Sequence, residues 1–486
     1  MKKIFTTGWL LAVQLFIVST ATAELRLPAI VSSNMVLQRN TTVEIWGWSD
    51  AQSSISIQAS WLDQPLTIQS DSEGKWRTSV KTSNSQEPQT LMIRDEDSSI
   101  LLENILFGEV WLCSGQSNMS MPVKGNSGQP TFRPPLTIAK SANSQLRLFT
   151  VKRKGAKTPQ SDVEQYEGWA EASPENVPDF SAVAYFFGQQ LQEILQVPVG
   201  MIHTSWGGSQ IQAWMSQEAI QGFQQVNLDT VDISKRTNKI PTTLYNAMIH
   251  PLIPFSIRGV LWYQGEGNRF DPASYQSLFP AMVKDWRARW NLGDFPFFYV
   301  QIAPYMYGDN EVFQTPKNTA FIREVQMKCL DLIPNSGMAV TLDIGDDYCI
   351  HPPKKKEVAD RLLFHALHRT YGMNSVDDAS PMFESMEAHK NGLKLTFKHA
   401  ESGLYAFDKL EGFEIAGEDR VFYPANAKII QREFVHVSSE QVPNPVAVRY
   451  AWRNWVKGTL FDTNLLPASS FRTDDWDDAT RAGTIE

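Results

Sequence analysis

A short apolar run that ends in turn residues is the feature around which the chain is organised. Val110 to Cys113 has the composition of a buried strand, and Ser114 and Gly115 follow it as turn residues. Ser117 therefore lies just beyond the carboxyl end of a predicted central strand, which is where ligands bind in open α/β sheets. A serine there is either a helix cap or a nucleophile. The local pattern by itself favours the cap, because serine caps are common.

Strand and helix patterns then alternate as far as about residue 375. Helical spacing of apolar residues predicts helices over residues 181–196, 271–290 and 355–371. Between them, apolar runs predict strands over residues 197–203, 258–263 and 297–302. Such alternation is typical of a doubly wound, mostly parallel sheet. Residues 120–180, rich in Pro, Ser, Lys and Gly, are predicted to form long loops over the active face.

The two flanking regions have the period of β-structure. Strands of alternating polarity, such as residues 42–48 and 54–59, are separated by turns and predict an N-terminal β-sandwich over residues 24–106. Residues 107–375 form the predicted catalytic α/β domain. Alternation returns at residues 392–397 and 446–452, so residues 376–486 are predicted to be a C-terminal β-rich region.

The first 23 residues have the pattern of an export signal. Lys2 and Lys3 precede an apolar core from Trp9 to Val18, and a small-residue cleavage site ends at Ala23. The apolar core is short and interrupted, and no other long apolar stretch follows, so no integral membrane anchor is expected. We expect an exported protein, bacterial and periplasmic or secreted.

Charge and cysteine content exclude several classes. The predicted leader has two lysines and no acidic residue, so its removal takes the formal net charge from −9 to −11, which argues against a nucleic-acid partner. The three cysteines allow at most one disulfide and lack metal-ligand spacing, so neither a structural zinc nor any other cofactor is expected.

A histidine follows a second predicted strand. Residues 338–343 form an apolar run, and the loop after it leads to His351. A histidine just past one strand end can reach a serine past a neighbouring one, and such a pair forms an activated nucleophile. The position of His351 therefore favours Ser117 as a nucleophile over a helix cap.

Several motifs in fixed order resemble the sialate O-acetylesterase family of SGNH-type carbohydrate esterases. They are Gly115-Gln116-Ser117-Asn118, Ser205-Trp206-Gly207-Gly208, Trp262-Tyr263-Gln264-Gly265-Glu266, Asp343-Ile344-Gly345-Asp346 and Ile350-His351-Pro352, with further matches near both ends of the mature chain. The resemblance implies an SGNH-hydrolase-like fold and a metal-free serine esterase.

The same resemblance implies roles for particular residues. Ser117 is the nucleophile and His351 the base. The oxyanion hole is formed by the backbone N–H of Ser117, a glycine of the Gly207–Gly208 pair and the side-chain amide of Gln264. A bare glycine backbone is suited to close approach. A tight turn is the other interpretation of the two glycines.

The acid that orients His351 is where the chain departs from the family. Members commonly have an aspartate two positions before this histidine, and here that residue is Cys349. We rank Glu266 first as the replacement, Asp347 second, and a dyad without an acid third. Glu266 is also consistent with a buried carboxylate that braces loops.

Asn118, Trp206 and Tyr263 are candidate substrate-binding residues, with a turn asparagine and core aromatics as the alternatives. The expected activity is hydrolysis of O-acetyl esters on a carbohydrate, and sialic acid, for which the family is named, is the first expected substrate. Xylan or another plant polysaccharide is an alternative substrate, and a non-catalytic glycan-binding protein is the alternative class. The expected partner is an O-acetylated glycan, and the sequence leaves the oligomeric state open.

Overall fold

The computed structural model of the chain describes residues 24–164, 168–224, 227–308 and 317–482. The predicted export signal lies outside these residues. Within them, no helix combines the length and the apolar character that crossing a membrane requires.

The N-terminal region contains seven strands: β1 (Val36–Gln38), β2 (Thr42–Trp48), β3 (Ser54–Ala59), β4 (Leu66–Gln69), β5 (Lys75–Lys81), β6 (Gln89–Arg94) and β7 (Ser99–Gly115). β2 pairs with β5, and β3 pairs with β4 and β6. Alternate residues of both groups are buried in a shared core, which confirms the strands predicted at residues 42–48 and 54–59.

The α/β region adds six strands: β8 (Asn143–Thr150), β9 (Ala170–Ala172), β10 (Val199–Ser205), β11 (Gly259–Tyr263), β12 (Phe297–Val300) and β13 (Ser336–Ala339). Its α-helices are α1 (Ser117–Ser120), α2 (Pro134–Ala139), α3 (Ala182–Leu195), α4 (Gln217–Gln221), α5 (Pro272–Trp290), α6 (Ala320–Leu332) and α7 (Lys355–His365). Short 3₁₀ segments cover Ile211–Trp214, Thr237–Lys239, His250–Leu252 and Glu266–Asn268, and π-helical segments cover Tyr245–Ile249 and Ala366–Thr370.

The central strands lie in the order β13-β12-β11-β7-β10-β8-β9. All of these pairs are parallel except β8 with β9. Helices α3 and α7 pack on one face with Trp111 and Cys113 of β7, while α5 and α6 share the opposite core with Val110 and Leu112. The prediction of a mostly parallel sheet is confirmed, and helices cover both of its faces.

Strand β7 belongs to both regions. Its residues Ser99–Ile105 pair antiparallel with β6, and its residues Glu109–Gly115 lie between β10 and β11. The boundary predicted between residues 106 and 107 therefore falls inside one continuous strand.

The prediction of loops throughout residues 120–180 is wrong for α2, β8 and β9, which lie within this range. β8 is an interior strand of the central sheet, although its sequence is rich in polar residues. Arg147, in its middle, is buried and donates to the carbonyl of Ser144 and to Asn104, and it forms an ion pair with Glu171. A satisfied buried arginine interrupts the apolar pattern without interrupting the strand.

The C-terminal region contains β14 (Met382–His389), β15 (Gly392–Lys398), β16 (Leu404–Tyr405), β17 (Phe413–Ala416), β18 (Val421–Pro424), β19 (Asn426–Ile430), β20 (Phe434–Ser438), β21 (Ala447–Tyr450), β22 (Phe461–Asp462), β23 (Phe471–Arg472) and β24 (Thr480–Arg481). They form sheets of four, five and two strands. The predicted β-rich character of this region is confirmed.

Candidate active site

Ser117 is the first residue of α1, directly after the end of β7. Gly115 there has φ +135°, and a Cβ on it would lie 2.2 Å from the carbonyl oxygen of Tyr263. Only glycine fits this turn. Gln116 is extended, and its backbone N–H donates to the same Tyr263 carbonyl. The close turn places Ser117, half-buried, at the carboxyl edge of the sheet.

The loop that carries His351 is attached to the nucleophile helix. Asn118 Nδ2 donates to the carbonyl of Ile350 at 3.2 Å, which brings His351 next to α1. His351 is also half-buried. Among the described residues, Ser117 Oγ has no hydrogen-bond partner and the imidazole of His351 bonds only through Nδ1, so Oγ and Nε2 are both unengaged. In ligand-free enzymes the bond between nucleophile and base often forms only with substrate present.

The Nδ1 atom of His351 lies 2.9 Å from Oε1 of Gln129. Gln129 closes a tight hairpin with Asn126 through two backbone hydrogen bonds. The same segment is attached to the histidine loop, because the N–H of Phe132 donates to the carbonyl of Pro353 at 3.1 Å. An amide oxygen thus occupies the position at which an acid was expected.

The structure corrects the ranking of acids. Glu266 Oε1 accepts from Asn118 Nδ2 at 2.7 Å, and its Oε2 has no hydrogen-bond partner in the described chain, so the carboxylate does not hold His351. Asp347 has no hydrogen bond to the histidine within the described residues either. Cys349 Sγ donates to the backbone carbonyl of His351 at 3.2 Å and has no hydrogen bond to the imidazole among the described residues. The family's aspartate position is therefore reused as a loop brace.

A buried charged cluster lies beneath the nucleophile. Lys355, the first residue of α7, donates from Nζ to Asn118 Oδ1 at 2.5 Å. Asn118 thus bridges a buried ammonium and the buried Glu266 carboxylate. Burial lowers the pKa of Lys355 to about 7, opposed by Glu266 and Cys349. Burial raises the pKa of Glu266 against the effects of its hydrogen bonds and of Lys355.

His351 is neutral over most of the accessible pH range. Burial, with a smaller contribution from the Lys355 charge, lowers its pKa to about 4. A neutral imidazole can accept the proton of Ser117 at physiological pH. If Nδ1 donates its hydrogen to the Gln129 carbonyl, the lone pair of Nε2 is the one that is free.

The glycine predicted for the oxyanion hole lies against the nucleophile. A Cβ on Gly207 would be 3.2 Å from the Cβ of Ser117. The carbonyl of Gly207 is held by Nδ2 of Asn238 at 2.7 Å. Among the described residues, the N–H groups of Ser117 and Gly207 have no acceptor, so both are available to a developing oxyanion. Gly208 has φ +67° and shapes the turn that follows.

Gln264 occupies a different position from the one predicted. Its side chain is fully buried, and Nε2 donates to the carbonyl of Ser209 at 3.0 Å and to Oδ1 of Asn268 at 2.8 Å. Both amide hydrogens are therefore used inside the protein. The geometry makes Gln264 a brace that connects the loops after β10 and β11, and leaves no hydrogen for an oxyanion.

Two of the three predicted substrate-binding residues are inaccessible. Asn118 and Tyr263 are each 0% exposed, Asn118 within the charged cluster and Tyr263 in the core beneath it. Lys355 Nζ lies 5.7 Å from the centre of the Tyr263 ring. Trp206 is partly exposed and remains a candidate for contact with substrate.

The described residues contain no group of three or more His, Cys, Asp or Glu arranged to hold a metal ion. Cys113, Cys329 and Cys349 are all free thiols. Sequence reasoning missed two residues of the site. Lys355 sits where the amphipathic pattern of α7 begins, and its burial has no local signal. Gln129 lies in a segment interpreted only as loop.

A serine at the carboxyl edge of a parallel sheet, beside a neutral histidine and two N–H groups that have no acceptor among the described residues, is an arrangement typical of enzymes that hydrolyse acyl esters. Residues 108–353 match the family model described as carbohydrate esterase, sialic acid-specific acetylesterase. The chain belongs to this family and is a carboxylic ester hydrolase.

Individual relatives agree with this assignment. The chain is 27% identical over 471 residues to sialate O-acetylesterase of Homo sapiens, an alignment that covers 88% of each protein. It is 25% identical to the Mus musculus enzyme, covering 88% of this chain and 90% of that one. The crystal structure of a carbohydrate acetylesterase from Xanthomonas citri superposes with a TM-score of 0.84 at 34% identity, covering 93% of this chain and 100% of the other.

Proposed function

We propose that this protein hydrolyses O-acetyl esters of sialic acid on an SGNH-type fold, with Ser117 as nucleophile and His351 as general base. The observation that supports the mechanism is the packing of Gly207 against Ser117, because the backbone N–H groups of both residues have no acceptor among the described residues. The substrate follows from the family and from its curated relatives, which are sialate O-acetylesterases.

The proposed reaction proceeds in two steps. Ser117 Oγ attacks the acetyl carbonyl while Nε2 of His351 takes the hydroxyl proton, and the N–H groups of Ser117 and Gly207 stabilise the oxyanion. The sugar oxygen leaves with the proton from His351, and an acetyl-enzyme remains. Water, deprotonated by the same nitrogen, then attacks the acetyl-enzyme and releases acetate and free Ser117.

Gln129 fills the orienting role in this proposal. Its carbonyl accepts the Nδ1 hydrogen of His351, which fixes the tautomer and the ring orientation. A neutral amide stabilises the imidazolium of the transition state less than a carboxylate does. The active pair is therefore Ser117 and His351 oriented by an amide, while the buried Glu266 bonds Asn118 instead.

An acetate-release panel tests the function. Purified protein should release acetate from O-acetylated sialosides with a kcat/KM above that on acetylated xylan or acetylated pectin. A preference for acetylated xylan would show that the substrate is a plant polysaccharide and that the protein is still an acetylesterase. Absence of hydrolysis on all three and on p-nitrophenyl acetate would contradict the esterase mechanism itself.

The pH profile should respond to Gln129. For the wild type, kcat/KM should be retained on the acid side until the pH approaches about 4, because the base works only when neutral and His351 has a pKa of about 4. Gln129→Glu adds a negative charge next to Nδ1, so it should raise the pKa of His351 and move the acid limb to higher pH. Gln129→Ala should lower kcat by about 10²-fold, the low end of the contribution of a positioned base.

Asp347→Asn is the matched control, because Asp347 is in the same loop as His351 but has no bond to it in the described structure. It should leave both the acid limb and kcat unchanged. A shift of the acid limb in Asp347→Asn that is absent in Gln129→Glu would refute the assignment.

A further inference from the structure

A cavity of about 540 Å³ opens at the carboxyl ends of β8 and β10, the same edge of the sheet that carries Ser117. Ser120 lines it, and its Oγ donates to the carbonyl of Ser117 at 3.2 Å. Ser205 lines it as well, two residues before Gly207. The cavity falls within the roughly 300–1,000 Å³ typical of small-molecule sites. Ser120 and Ser205 thus join the cavity to the segments that carry Ser117 and Gly207.

The floor of the cavity is neutral. His203 Nε2 and Ser205 Oγ are 2.6 Å apart, and both side chains are buried in the wall. Burial, with a contribution from the Arg153 charge, lowers the pKa of His203 to about 3, so this imidazole has no charge at neutral pH. The charge nearest to this imidazole is that of Arg153, which lies at the exposed side of the cavity and is open to solvent.

Arg153 is anchored with its terminal nitrogens free. Its Nε lies 3.4 Å from the carbonyl oxygen of Ser205 and donates to it. Among the described residues, the guanidinium has no ion pair, and neither Nη atom has an acceptor. A guanidinium held at Nε presents a planar pair of donors that matches a carboxylate.

The acidic residues of the cavity lie at its exposed rim. Asp179 is paired with Lys124 at 2.5 Å, and its side chain is 74% exposed. Glu175 is also exposed. Solvent screening weakens their effect on an anion bound near Ser205. Their oxygens can accept hydrogen bonds from sugar hydroxyls instead.

We infer that this cavity is the subsite for the sugar of the substrate, and that Arg153 binds a carboxylate on that sugar. The inference rests on the proposed function, because it takes the ligand to be the acetylated glycan. It makes Arg153 a specificity residue that selects acidic sugars, whether nonulosonic acids or uronic acids, over neutral ones.

Binding to the Ser117→Ala protein tests the inference without hydrolysis. Calorimetric titration would compare a methyl sialoside and a methyl galacturonoside, each as the free acid and as the carboxymethyl ester. At least one of the two free acids should bind about 10-fold more tightly than its ester, or tighter still. Arg153→Gln should abolish this difference in affinity, and Arg153→Lys should reduce it. A 10-fold difference in affinity corresponds to about 1.4 kcal/mol.

Lys154→Gln is the matched control, because Lys154 is the next residue and its ammonium is paired with Glu164 at 2.6 Å, away from the cavity lining. It should keep the preference for the free acid. Equal binding of acid and ester, no binding of any of the four ligands, or a preference that survives Arg153→Gln would each overturn the inference. If sialosides bind through Arg153 while acetylated sialosides are not hydrolysed, the subsite stands and the proposed function fails.

Discussion

Ser117→Ala is expected to lower kcat for acetate release by at least about 10³-fold, because it removes the atom that forms the acetyl-enzyme. Residual activity would come from binding and from the remaining N–H donors. Steady-state kinetics on p-nitrophenyl acetate and on an O-acetylated sialoside measure the effect. The thermal midpoint should stay within a few degrees of the wild type, since Ser117 Oγ has no hydrogen bond to any described residue.

A second serine–histidine pair lies in the same region. A covalent label that reacts with the nucleophilic serine can therefore distinguish the two pairs. His203 and Ser205 are i and i+2 on β10, and Ser205 is 3% exposed. A serine-directed fluorophosphonate should modify Ser117 and leave Ser205 unlabelled, as read by mass spectrometry of the peptides. Labelling at Ser205, or near-normal turnover by Ser117→Ala, would move the nucleophile to the other pair.

Lys355→Met is expected to destabilise the fold by about 1–3 kcal/mol, because it leaves the buried Asn118 Oδ1 without its donor and Glu266 without its neighbouring cation. Denaturant titration followed by fluorescence measures the shift of the midpoint. The double variant Lys355→Met, Glu266→Gln should recover part of the loss, since both charges are then removed together.

Lys354→Met is the control for this cluster, because Lys354 is the preceding residue and is exposed. It should shift the midpoint by less than about 0.5 kcal/mol. Lys355→Met should also raise the pKa of His351 and move the acid limb of the pH profile upward, because it removes a charge that lowers that pKa. Equal stability of Lys355→Met and Lys354→Met would show that the cluster contributes nothing to the fold.

Much of the fold was predictable, because its elements bury one face or both. The helix predicted over residues 181–196 is α3, and the predicted start at Asp271 is confirmed by its bond to the N–H of Ser274 at 3.2 Å. The strands before Ser117, Gly207 and Glu266 were also found. β8 was missed because a buried Arg147 interrupts its apolar pattern, and its partners come from three distant segments.

The sequence by itself determined where strands and turns follow one another along the chain. It thereby placed Ser117, Gly207 and His351 just after strand ends, at one edge of the sheet. It also determined that the aspartate of the family is absent. These are local facts, since a strand end and a glycine turn are coded within a few residues.

Only the tertiary structure decided what each polar side chain contacts. Asn118 and Glu266 are 148 residues apart, and Gln129 and His351 are 222 residues apart. In a buried site each polar atom must find a partner, and the choice among partners depends on how distant loops pack. In that packing Nδ1 of His351 bonds the amide of Gln129 and Glu266 bonds Asn118, because the loop of residues 126–132 is packed on the loop that carries His351.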